Sequence, residues 1–178
     1  KDGSLIRQSL DIVKWSHMHA SPGKGLGGRD PATWSDEIDA WDANGVQLMR
    51  FGRAVSFKVV AEDNDRVVDV VRALGIPLPG YTLKLWAGRM AMRDFNAKYA
   101  EESESASLQQ AEGILAELQA FLEGQSSPYL VDGAFSYADI CMVLGLHCLR
   151  PFRDHLPLGM LKPIFDVGPG LPELCARH

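Results

Sequence analysis

Pro128-Tyr129-Leu130-Val131-Asp132-Gly133-Ala134-Phe135-Ser136-Tyr137-Ala138-Asp139-Ile140 is the stretch on which the fold turns. Its last six residues hold two helix-start devices. With Ser136 as N-cap, the hydroxyl can accept from the Asp139 backbone N–H while the Asp139 carboxylate returns to the Ser136 N–H, a capping box with Asp in place of Glu. Phe135, one position earlier, is placed to pack on Ile140 as a hydrophobic staple. Ser126 to Gly133 reads as a turn-rich link, and the helix opened by Ser136 is the most apolar of the chain, running to about Leu149 and closed by Arg150-Pro151. A cap contributes ~1 kcal/mol and alone specifies only that a helix starts here.

Outward from this point helical spacing dominates. From Tyr81 to Gly124 good helix formers prevail, with Leu108, Ala111, Leu115, Leu118 and Leu122 marking an apolar stripe, so one or two long helices are predicted. Asn64 to Leu74 reads as a short amphipathic helix through Val67, Val70, Val71 and Leu74, ended by Gly75-Ile76-Pro77-Leu78-Pro79-Gly80. Before it, Asp30-Pro31 offers a cap and a first-turn proline to a long helix through Trp34, Ile38, Trp41, Val46, Met49 and Phe51, with a break predicted near Gly45.

The stretch from Ser21 to Asp30 is dominated by Gly and Pro and reads as a connector; it follows a helix and lacks the full GxxxxGK[ST] pattern of a phosphate cradle. Leu5 to Met18 mixes a short strand-like entry with a helix from about Ser9. Phe152 to His178 leaves room for one short helix near Pro157 to Phe165. No alternating strand pattern occurs beyond the first residues, so the predicted class is all-α.

Composition narrows the function. A net charge of -5 removes the broad attraction that carries a chain onto phosphate backbones or anionic lipid, so neither nucleic acid nor a membrane surface is an expected partner. No apolar stretch approaches the ~20 residues of a membrane span. Cys141, Cys148 and Cys175 are an odd count without CxxC spacing, which fits a reducing, cytoplasmic setting rather than a disulfide framework. Cys141 and Cys148, seven apart in an apolar helix, are expected to be buried core thiols. The start Lys1-Asp2-Gly3-Ser4 has no initiator Met and no signal peptide, giving the expectation of a chain cut from something longer.

In its surroundings the segment Pro128–Ile140 closely resembles the signature of glutathione-transferase C-terminal domains, in which a Tyr-Leu, a Gly-containing turn and a Ser/Thr-x-Ala-Asp-Ile box open the central helix. The resemblance makes these residues architectural, so Asp139 is not expected to be catalytic. Asp2-Gly3-Ser4-Leu5-Ile6-Arg7-Gln8-Ser9-Leu10-Asp11-Ile12-Val13-Lys14-Trp15 in turn looks like the last strand and last helix of those transferases' thioredoxin-like domain. Gln8-Ser9 matches the family's Glu/Gln-Ser pair. Ser9 offers a hydroxyl and a backbone N–H at a helix N-terminus, where a carboxylate is favoured by unpaired donors and the dipole; the competing reading is a simple N-cap. By resemblance that carboxylate is the γ-glutamyl end of glutathione, so Gln8 and Ser9 are the candidate binding residues for glutathione as co-substrate.

The resemblance thus implies a remnant of a thioredoxin-like α/β domain at 1–20, a linker at 21–30 and an all-helical transferase C-terminal domain at 31–178. It implies transfer of the glutathione thiolate to an apolar electrophile, and it allows a homodimer. The thiol-activating Tyr, Ser or Cys and the cis-proline of the family's earlier segment have no counterpart here. No catalytic residue is therefore assigned, and the 178-residue chain is expected to be inactive alone.

Other candidates are weaker. His17-x-His19 lacks a third ligand at any recognisable spacing and is expected to be an exposed, incidental pair, so no metal is assigned. Trp34, Trp41, Phe51, Phe57, Tyr81 and Trp86 are expected to be mainly core, with one or two walling an apolar pocket. Arg50, Arg53 and Lys58, and the run Glu101-Glu102-Ser103-Glu104-Ser105, read as solvated faces. Two rival functions stand beside the transferase. One is a two-domain glutaredoxin-like oxidoreductase, whose last thioredoxin-domain helix Gln8–Val13 also resembles; the other is a non-catalytic transferase-like interaction module.

Overall fold

The computed structural model describes residues 8–21, 24–28, 33–98 and 108–150, which form six helices. These are α1 (Ser9–Met18), α2 (Asp36–Glu62), α3 (Asn64–Ala73), α4 (Tyr81–Lys98), α5 (Leu108–Gly124) and α6 (Tyr137–Leu149). The only β pairing among them is an isolated bridge between Val131 and Ala134. The all-α expectation holds. The strand-like entry before Gln8, the Asp30-Pro31 cap, the acidic run at 101–105, the short helix near 157–165 and Cys175 lie outside the described residues.

α2 is the spine. Its 27 residues span about 40 Å, with Ser35 as an extended N-cap and Asp36, Glu37 and Asp39 in the first turn, where the helix dipole favours negative charge. It does not break at Gly45. Glycine there has a packing role, because α6 runs parallel to α2 with the two backbones almost touching. A Cβ on Gly45 would lie 2.7 Å from the carbonyl oxygen of Cys141, and one on Gly52 2.7 Å from that of Cys148. A Cβ on Gly145, across the seam, would lie 2.9 Å from the Gly45 carbonyl oxygen. Glycines and thiols, each seven apart, thus form one close helical seam. Approach at that distance outweighs the ~1 kcal/mol that glycine costs inside a helix.

The core lies around this seam. Ile38, Leu48, Val131 and Ala138 are completely buried, and Ala111, Ile114, Leu115 and Leu118 close it from α5. The predicted α5 stripe is right at its centre only, since Leu108 and Leu122 remain nearly half exposed. At the far end of α2 a single residue stops one helix and starts the next. Asp63 is extended, and its carboxylate accepts from the N–H groups of Asp65 (2.9 Å) and Arg66 (3.3 Å). α3 then presents buried Val67, Val68 and Val71 to α4 and ends at Gly75, whose φ of +69° suits glycine. These valines are poor helix formers, and tertiary burial overrides their propensity.

The quoted segment folds as its chemistry dictates. Both halves of the Ser136–Asp139 capping box are present, with the Ser136 N–H to carboxylate bond at 2.7 Å. The same carboxylate also accepts from the Leu130 N–H at 3.0 Å, so Asp139 ties the preceding turn to the helix as well. Asp132 and Gly133 both have positive φ, 53° and 64°, the pattern of a type I′ turn, and the Ala134 N–H closes it on the Val131 carbonyl. Phe135 is half exposed, and its ring meets that of Tyr129 edge-on at 6.1 Å.

Candidate functional site

α1 lies across the N-terminal end of α2 and is fastened there by polar contacts. Lys14 Nζ meets Asp39 Oδ2 at 2.6 Å, and the Trp34 indole N–H donates to Asp39 Oδ1 at 2.8 Å. The Lys14 ammonium also sits 5.4 Å from the Trp34 ring centroid, a cation–π distance.

His17 fastens the connector and departs from the exposed pair expected from sequence. It is 4% exposed, its Nδ1 accepts from the Gly27 N–H at 3.0 Å, and its Nε2 lies 3.1 Å from the Thr33 carbonyl. Those partners require a neutral ring with the proton on Nε2. Gly25 and Gly27 wrap the ring so tightly that a Cβ on either would fall within 2.4 Å of an imidazole nitrogen. The glycine run is therefore a connector moulded on a histidine, and His19 alone remains on the surface.

The opposite end of α1 carries the two predicted ligand residues. Gln8 is the N-cap, extended at φ -95° and ψ 144° and making no capping bond with its own side chain, and Ser9 is the first helical residue. The simple N-cap reading of Ser9 is thereby displaced. Both residues are exposed. A helix cannot satisfy its first N–H groups internally, so those of Ser9, Leu10 and Asp11 form a donor cluster with the positive end of the dipole behind them. The Asp11 carboxylate in that first turn partly offsets the attraction.

Ser9 does not stand alone. Its hydroxyl is close enough to the phenol of Tyr137, the first residue of α6, to favour ionisation of that phenol, and the Cys141 thiol one turn further on opposes it. Cys141 Sγ in turn donates to Asp42 Oδ1 on α2 at 3.0 Å. A polar line Ser9–Tyr137–Cys141–Asp42 therefore runs from the surface into the α2–α6 seam. Burial, and then the Asp42 carboxylate, push the Cys141 thiol up to about 12. Burial also raises Tyr137, against the lowering effect of Ser9. Cys148 is raised by burial as well, less the influence of Arg53. Both thiols and the phenol thus stay protonated near neutral pH. They can donate and accept hydrogen bonds, but neither thiol is a nucleophile.

Sequence reasoning missed Tyr137, Asp42 and His17. Tyr137 occupies the unspecified position of the box, and nothing in the spacing distinguishes Asp42 from the other acids of its helix. Gly25 and Gly27 ahead of Trp34 were the one available hint that something bulky is enclosed. Among the six aromatics proposed as core or wall, Trp41 packs edge-on with Phe121 at 5.3 Å in the core, and Phe57 stacks on Phe95 at 4.0 Å beside a cavity. Trp86 is 60% exposed. Arg50 and Arg53 are half-buried rather than solvated, whereas Lys58 is exposed.

Residues 83–176 match the family model described as glutathione S-transferase, C-terminal domain, over half of the chain. The chain belongs to that family. The match includes the capping-box turn, α5 and α6, so the segment that decided the fold is also a family segment. It begins after α1, and Gln8 and Ser9 lie outside it. No curated protein and no solved structure matches the chain. No described helix is long and apolar enough to cross a membrane.

Proposed function

We propose that this chain belongs to a cytoplasmic glutathione transferase and supplies the part of its glutathione site that holds the γ-glutamyl carboxylate. The observation carrying the reading is the placement of Ser9. Its hydroxyl lies at the N-terminus of α1, where the N-cap residue Gln8 makes no side-chain capping bond, and beside the Tyr137 phenol. Both hydroxyls can rotate. The Ser9 O–H can turn from the phenol to donate to a carboxylate already favoured by the helix N–H groups and dipole. Burial keeps the phenol neutral, so it adds no negative charge beside that carboxylate.

In this reading residues 1–20 are the end of a thioredoxin-like domain, 21–30 the linker and 31–178 the helical domain that walls the apolar electrophile. Activation of the glutathione thiol comes from elsewhere. The described thiols and the Tyr137 phenol are all shifted towards their neutral forms, whereas the attacking species must be a thiolate. In the reaction the thiolate sulfur forms a bond to the electrophilic carbon as the leaving group departs with its electron pair. Positioning glutathione at Ser9 contributes by holding that sulfur within reach of the electrophile.

The test is turnover of a chlorinated nitroarene with glutathione. The 178-residue chain is expected to give none above the uncatalysed rate, and the protein extended by its own upstream coding sequence is expected to give robust turnover. Robust activity of the short chain would mean that the thiol-activating group lies within it. Failure of the extended protein to be retained on immobilised glutathione would favour an interaction module.

A further inference from the structure

α4 is apolar on two faces. On one, Gly88 and Met92 are buried, and a Cβ on Gly88 would meet the Val67 and Val71 side chains of α3. On the other, Leu83, Trp86, Met90, Arg93 and Ala97 follow at intervals of three and four residues, within about 80° of one another around the helix axis. That is the a/d spacing by which one helix packs along another. Leu83 is 40% exposed, Trp86 60% and the Arg93 side chain 70%, with Met90 half-buried and Ala97 exposed. Apolar residues scattered singly over a surface are ordinary, whereas four at this spacing on one helix make a continuous stripe.

Charge narrows what the stripe fits. α4 carries Lys84, Arg89, Arg93 and Lys98 against Asp94, in a chain of net charge -5. Arg93 stands within the stripe itself, and Arg89 flanks it at the position from which paired helices reach a partner's charge. Neither guanidinium is held by a close acid among the described residues. Arg89 donates to the neutral Asn64 side chain, and the Arg93 contact with Asp94 is 3.5 Å long between groups each 70% exposed. An apolar partner laid over Arg93 would strand its charge, a cost that a carboxylate opposite it offsets. A second copy of α4 would bring a like charge to the same seam.

We propose that this face of α4 docks an acidic amphipathic helix of a partner protein, whose apolar residues pack around Trp86 and whose carboxylates meet Arg89 and Arg93. Tryptophan and arginine are the residue types that most often dominate such interfaces. The surface uses no part of α1, so it stands whether or not Ser9 binds glutathione.

Fluorescence anisotropy with a labelled peptide of three heptads tests this on the purified chain. The peptide carries Leu at a and d and Glu at e and g, and a matched peptide carries Lys in place of Glu. The Glu peptide is expected to bind saturably at one per chain and roughly tenfold or more tighter than the Lys peptide. Trp86→Ala, at an exposed position, should weaken it about thirtyfold, the scale of an interface hot spot, with the melting temperature unchanged. Arg89→Gln combined with Arg93→Gln should weaken it about three- to tenfold and reduce its sensitivity to salt. Absence of saturable binding by the Glu peptide, equal affinity for the two peptides, or full affinity after Trp86→Ala would each overturn the assignment. So would a dimer of the chain in sedimentation equilibrium, or capture by phosphatidylserine vesicles, that Trp86→Ala abolishes.

Discussion

The two ends of α2 are built by opposite means. At its N-terminal end α1 and α6 are fixed to it by bonds between particular atoms: His17 to Gly27 and Thr33, Lys14 and Trp34 to Asp39, and Cys141 to Asp42. At its C-terminal end α3 and α4 meet it through valines, a methionine and stacked phenylalanines that leave space unfilled. Hydrogen-bonded groups in a dry setting tolerate little displacement, because each unsatisfied partner costs about 1–3 kcal/mol. Apolar walls around a void yield more easily. The first end is suited to fixing one orientation of a charged ligand, and the second to yielding when a side chain changes size.

Substitutions that remove a bonded group should separate the ends most sharply. His17→Ala empties the ring site that Gly25 and Gly27 enclose and leaves the Gly27 N–H without its acceptor. A loss of about 2–4 kcal/mol is expected in urea unfolding. A loss below about 0.5 kcal/mol would mean that the connector is not organised by this histidine.

A matched pair of glycine substitutions sharpens the contrast. Gly45→Ala and Gly88→Ala carry the same intrinsic helix gain of ~1 kcal/mol. At Gly45 the new methyl meets the Cys141 carbonyl, part of a helix backbone that cannot step aside, so overpacking should win by about 1–2 kcal/mol. At Gly88 it would meet the Val67 Cγ1 at 2.5 Å, but Val67 borders the cavity and has room to shift. Gly88→Ala should therefore fall within about 0.5 kcal/mol of the parent. Equal melting temperatures for the two variants would erase the distinction between a rigid and a yielding end.

Alkaline pH probes the polar line through one group. An unfolded cysteine ionises near pH 9, while folded Cys141 keeps its proton up to about 12. Between those values the folded state binds the extra proton, so stability should be complete below pH 9 and fall as the pH rises, by up to about 1.4 kcal/mol per unit. Cys141→Ala should flatten that part of the stability curve between pH 9 and 10.5. A slope unchanged by the substitution would place the titrating group elsewhere.

The elements were legible in the sequence because their signals are local. Caps, turn residues and apolar spacing located α3, α6 and the helical stretch that holds α4 and α5 without dividing it, and the Ser136–Asp139 box formed as its residue types require. Gly45 misled, because a glycine that breaks a helix and one that admits a neighbouring backbone look identical until the neighbour is known. His17 and Tyr137 were illegible for the same reason. The groups they meet across the fold, Gly27 and Thr33 for His17 and Ser9 for Tyr137, are ten and more residues away, and a solvated histidine or tyrosine has no different local pattern. The chemistry of Ser9 could be read as a donor pair at a helix start, but the nearness of Tyr137 on α6 could not.

The central claim is that Ser9 is a ligand residue for a carboxylate, and the glutathione dissociation constant tests it most directly. It should be measured by titration calorimetry on the protein carrying its own coding sequence upstream of Lys1, as the parent and as Ser9→Ala. A hydrogen bond to a charged group contributes ~1.5–3 kcal/mol, so the substitution should raise the constant roughly 10- to 150-fold with the melting temperature unchanged, since Gln8 and not Ser9 occupies the N-cap position of α1. An unchanged constant, whether or not the melting temperature falls, would contradict it.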